Sequence, residues 1–79
     1  MLQHARLLSD TAKYPTIEVG INLSGPDGNA FVIIGRVTKA LKLAGISSSE
    51  IEEFTAEVTA GDYEDLLRVC SMWVTFRSL

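Results

Sequence analysis

Thr16-Ile17-Glu18-Val19-Gly20-Ile21-Asn22-Leu23 alternates apolar and polar residues without a break, and Ser24-Gly25-Pro26-Asp27-Gly28-Asn29 follows at once. The period of two predicts a half-buried strand with Ile17, Val19, Ile21 and Leu23 on one face. The next six residues predict a turn: Pro26 presets φ at its second position, and Gly28 accepts a positive φ that side chains resist. Beyond it Ala30, Ile33, Ile34, Val37, Leu41 and Ala44 recur every three or four residues, while Arg36, Lys39 and Lys42 fall off that stripe. This is an amphipathic helix with Asn29 as N-cap, Gly45 as stop and Lys42 favourably placed in the last turn.

Downstream, Ser47 and Glu50 have capping-box spacing, and Ile46 is placed to staple onto Ile51. A second helix carries Ile51, Phe54 and Val58 on one face and ends at Gly61, read as a left-handed glycine. Asp62 then caps a third helix with an acidic first turn, Tyr63-Glu64-Asp65, and with Leu66, Leu67, Cys70 and Trp73 inward. Trp73 to Arg77 is β-branched and aromatic, a short closing strand with Val74 and Phe76 on one face. Upstream, residues 1–14 form an amphipathic arm with no clear cap or stop. The expectation is an arm over 1–14 and one α+β domain over 15–79, ordered strand, three helices, strand. A two-stranded sheet is marginal alone and its edges stay open to pairing, so extension by a second copy is expected.

Composition narrows the function. The chain has 79 residues, 47% of them hydrophobic, with a formal charge of -3. A chain this short buries only about 60% of its unfolded surface, which again favours a homodimer or larger homo-oligomer. The acidic balance opposes binding to phosphate backbones by bulk charge, so nucleic acid is not an expected partner. The longest fully apolar run, Ala30 to Ile34, is too short for a membrane span, and a signal-peptide apolar region is missing from the start. A cytoplasmic protein is expected. Cys70, the single cysteine, lies in an apolar helical pattern and reads as a small core residue. Charge is divided along the chain: five basic and three acidic residues up to Gly45, two basic and seven acidic after it. Two such halves suit an interface.

The order strand, glycine-rich turn and helix places backbone N–H groups where a phosphate or carboxylate can sit. Gly25, Asp27, Gly28 and Asn29, with Arg36 supplying charge, are therefore candidate ligand-binding residues. The turn lacks the lysine of a P-loop and the glycine spacing of a dinucleotide fingerprint, and Asp27 repels anions. Lys39 to Ile51 has helix-turn-helix spacing, but a recognition helix opening on Glu50, Glu52 and Glu53 repels DNA, leaving an ordinary helix hairpin. Glu50, Glu53 and Glu57 share a helical face that, with Tyr63, is the candidate surface for a protein partner. No calcium-loop pattern and no metal-ligand spacing accompany these acids, so neither a metal nor another cofactor is expected. His4 lies in the arm and Cys70 has no base nearby in sequence, so an enzyme is not expected.

Residues Leu23-Ser24-Gly25-Pro26-Asp27-Gly28-Asn29-Ala30-Phe31, the helix end Lys42-Leu43-Ala44-Gly45-Ile46, the segment Thr59-Ala60-Gly61-Asp62-Tyr63 with Leu66-Leu67, and the aromatic Met72-Trp73-Val74 recur together in one known pattern. Over roughly Tyr14 to Phe76 the chain resembles a family of small proteins encoded in bacterial, plasmid and phage or prophage genomes, for which no activity is established. The resemblance implies a regulatory or anti-defence protein that works by binding a host or phage protein. The alternative is a small-molecule binder or sponge that holds a phosphate-bearing ligand at the turn.

Overall fold

The alternating segment forms the first strand, β1 (Tyr14–Ile21), and the closing segment forms the second, β2 (Val74–Ser78), with three helices between them. In this computed structural model residues 12–25 and 28–78 are described. The two strands pair in parallel. A parallel pair needs a long crossover, which the three helices supply.

Val19 and Ile21 of β1 and Val74 of β2 are buried beneath the helices. On the other side Glu18 and Arg77, both exposed, form an ion pair at 3.6 Å. β1 starts two residues before the alternating segment, because Tyr14 pairs with Val74. Register then slips between Tyr14 and Glu18, where Pro15 has no N–H to give the ladder. The Pro15 carbonyl instead accepts the Thr75 hydroxyl at 2.7 Å. β1 also ends before Asn22 and Leu23. The Asn22 side chain accepts both the Ser24 amide and the Ser24 hydroxyl at 3.1 Å, a local bond that competes with strand.

Helix α1 (Ala30–Leu43) begins as expected, with the Asn29 side chain accepting the Phe31 N–H at 2.8 Å. Ile33, Val37 and Leu41 are fully buried. The helix closes in a Schellman motif: Gly45 N–H donates to the Lys42 carbonyl at 3.0 Å and Ile46 N–H to the Leu41 carbonyl at 3.1 Å. Gly45, at φ 84°, is the one glycine with positive φ among the described residues.

Gly28 and Gly61 therefore serve another purpose than the left-handed conformation expected of them. A Cβ at Gly28 would overlap the Leu23 backbone, and one at Gly61 would overlap the Asp65 side chain. Each glycine makes room for a close approach.

Helix α2 (Ser48–Val58) is capped by Ser47, whose hydroxyl accepts the Glu50 N–H at 3.3 Å. The reciprocal half of the expected capping box does not form, because the Glu50 carboxylate is bound to Tyr14 and Lys13. A complete box stands instead at helix α3 (Tyr63–Trp73), where Asp62 and Asp65 exchange backbone-to-carboxylate bonds of 3.0 and 3.4 Å. Ile51, Phe54 and Val58 meet Leu66, Val69, Cys70 and Trp73 in one core, with the Phe54 and Trp73 rings edge to face at 5.5 Å.

Of the expected arm, residues 1–11 lie outside the described residues. Ala12 is buried, Lys13 N–H donates to the Met72 carbonyl at 2.8 Å, and Tyr14 opens β1, so all three pack with the domain.

Candidate functional site

The first turn of α1, the end of α2 and the first turn of α3 meet around an open groove of about 270 Å³. Its walls are mainly apolar, carrying Ala30, Phe31, Ile34, Val58, Tyr63 and Leu66. Small-molecule sites usually enclose about 300–1,000 Å³, so this open groove lies at the low end of that range. Phe31 stands at its rim with 84% of its surface exposed. The reason is helical geometry: Phe31 lies one step beyond Ala30 and falls outside the stripe of Ile33, Val37 and Leu41 that faces the core.

The structure brings two sets of candidate residues to one place. The Tyr63 hydroxyl donates to the Gly28 carbonyl at 2.5 Å, tying the glycine-rich turn to the start of α3. Tyr63 thus stands at the groove, bonded to the glycine-rich turn. Within the turn, Gly28 N–H donates to the Gly25 carbonyl at 3.0 Å and Gly25 N–H to the Asn22 carbonyl at 3.3 Å. Asn29 accepts the Phe31 N–H. The amides of Gly25, Gly28 and Phe31 therefore close the turn and the helix cap, which leaves them unavailable to cradle an anion. Asp27 lies outside the described residues. Arg36 is exposed on α1, seven residues past Asn29 and about 10 Å farther along the axis.

The carboxylates of the expected partner surface have intramolecular partners. Glu50 accepts the Tyr14 hydroxyl and pairs with Lys13 Nζ at 3.0 Å, and Glu53 lies 4.0 Å from the same ammonium. Glu57 accepts the Trp73 indole N–H at 2.9 Å. Lys13 Nζ also sits 4.4 Å from the centre of the Trp73 ring, a cation–π contact. The hydrogen bond from Tyr14, then that from Lys13, holds the Glu50 carboxyl below its ordinary value. The same contact with Glu50 raises the Tyr14 phenol and the Lys13 ammonium above theirs. This cluster fastens residues 13 and 14 to α2 and α3.

Cys70 is buried, and desolvation pushes its thiol up to about 11. No group of three potential metal ligands occurs among the described residues, and no helix there is long and apolar enough to cross a membrane. Phe31 at the groove and Lys13 in the anchoring cluster are the residues that sequence reasoning missed. For Phe31 the signal was present, a large apolar residue off the stripe of Ile33, Val37 and Leu41.

Comparison with protein-family models, curated proteins and solved structures finds no match to the chain.

Proposed function

We propose that the protein is not an enzyme and acts by binding other protein chains, with the groove and Phe31 as the contact surface. The observation that carries this reading is the 84% exposure of Phe31 beside an open apolar groove. An exposed aromatic next to an apolar hollow is the arrangement by which interface anchors are buried on association. The buried, high-pKa thiol of Cys70 is a poor nucleophile at neutral pH, which supports a binding role over covalent catalysis. On this reading the chain assembles as a homodimer or larger homo-oligomer and contacts a host or phage protein, the regulatory role implied by the likeness of Leu23 to Phe31 to small mobile-element proteins.

Photo-cross-linking tests it directly. With p-benzoylphenylalanine at position 31, irradiation in cells is expected to yield a covalent adduct with a protein chain, identified by mass. Absence of any protein adduct, with the photoprobe intact, overturns the reading.

A further inference from the structure

The face of α1 that bears Phe31 also bears a glycine that the described residues do not explain. Gly35 lies in mid-helix, is exposed, and would have nothing among the described residues within 4 Å of an added Cβ. Its φ is not positive. Glycine is the poorest helix former after proline, and among the described residues neither close packing nor backbone conformation requires it. At about 100° per residue, Phe31, Gly35, Thr38 and Lys42 lie within a narrow band along the helix. A large residue and an empty position thus stand one turn apart on the same exposed line.

We infer that this face is covered by a second copy of the chain, with the two α1 helices antiparallel and Phe31 of each over Gly35 of the other. The inference rests on the protein-binding reading above and names the partner. A two-fold axis level with Ile33 brings residue 31 of one helix opposite residue 35 of the other, so one contact made twice fills both hollows. Glycine lets the backbones approach closely enough for the ring to lie flat on the helix.

Charge fits the same arrangement. α1 carries Arg36, Lys39 and Lys42 and no acid, whereas the first turn of α3 carries Glu64 and Asp65 behind Asp62. Lys39 lies six residues beyond Ile33, about 9 Å along the axis. In an antiparallel pair that carries it about 3 Å past the other copy's α1 N-cap, Asn29, on the side of the turn that Tyr63 ties to α3. Lys39 and Lys42 of one copy then face Asp62 and Glu64 of the other. Lys39, Lys42 and Glu64 have no ion-pair partner among the described residues of their own chain.

The test is sedimentation equilibrium of the whole chain. Wild type is expected at twice 8.6 kDa. Phe31→Ser and Gly35→Leu are each expected to raise the dimer dissociation constant about 30-fold or more, as loss of a central anchor does. Phe31 is mostly exposed and no described residue lies against position 35, so circular dichroism should stay unchanged. Lys39→Glu with Lys42→Glu should weaken the dimer, and adding Glu64→Lys should restore part of the loss. A monomeric wild type, or a dimer indifferent to both Phe31→Ser and Gly35→Leu, overturns the inference. The photoprobe at position 31 separates it from the broader reading. An adduct with a different protein on a monomeric chain removes the second copy and keeps protein binding, whereas absence of any adduct removes both.

Discussion

Gly35→Ala isolates the intrinsic cost of an exposed helical glycine, because the new methyl group touches nothing among the described residues. Alanine exceeds glycine in helix propensity by about 0.8–1.0 kcal/mol in a helix interior, and it also narrows the unfolded ensemble. The monomer should therefore gain about 1 kcal/mol. In a domain of this size that is roughly 4–8 °C in Tm, or with a urea m-value near 1 kcal/mol/M about 1 M in midpoint. The assay is urea unfolding followed by circular dichroism at a series of protein concentrations. At high dilution the full gain should appear with m unchanged. As concentration rises the advantage over wild type should shrink, because wild type gains more from self-association when Gly35 is the hollow that Phe31 fills. An unchanged or lowered midpoint at dilution would refute the reasoning, since it would place against Gly35 a neighbour that is not among the described residues.

Two other glycines should respond in the opposite sense. Gly61→Ala drives a Cβ into the Asp65 side chain and disturbs the capping box at α3, for a loss of about 1 kcal/mol, read as a lower urea midpoint. Gly45→Ala puts a side chain at φ 84° and should cost about 1–2 kcal/mol in the same measurement. The cluster of Lys13, Tyr14 and Glu50 should shape the pH profile of stability. Glu50 is held below its ordinary 4.5, so its contribution is complete above that pH and is lost as pH falls through its folded value. Tyr14 and Lys13 are held above 10.0 and 10.5, so theirs is complete below those values and is lost as pH rises through their folded ones. Melting temperatures of Glu50→Gln and wild type should converge toward both extremes of pH and differ most in between; a constant difference across the range would refute the assignment. Cys70 should react with a soluble disulfide reagent only as fast as the protein unfolds, and a fast reaction in native buffer would contradict its burial and raised pKa.

The local signals were legible in the sequence. Strict alternation found β1, Asn29 and Asp62 found their helix starts, and Gly45 found its stop, because each depends on residues only a few positions apart. What escaped depends on contacts across the chain. Ser47-x-x-Glu50 satisfies the capping-box spacing, yet the Glu50 carboxylate goes to Tyr14, thirty-six positions away. Glu57 was likewise read as part of a face for an outside partner, and its carboxylate accepts the indole N–H of Trp73, sixteen positions away. The early start of β1 follows from Tyr14 pairing with Val74, which no pattern within residues 14–23 contains. The candidate site was divided in the same way: the glycine turn and Tyr63 were singled out separately, and only the folded chain joins them through one hydrogen bond. Gly28 and Gly61 were recognised as necessary glycines for the wrong reason, because sequence marks the residue type and not the neighbour that crowds it.

The parallel pairing of β1 and β2 has a mechanical consequence. The strands come from opposite ends of the domain and run in the same direction, so their outer ends lie at opposite ends of the ladder. Tension applied through Tyr14 and Ser78 slides one strand along the other and loads the bonds of the ladder together, where an antiparallel hairpin pulled at its open end would release them one at a time. Extraction by a pulling machine such as an unfoldase would meet its main resistance at this short sheet, with the helices yielding once it has slipped.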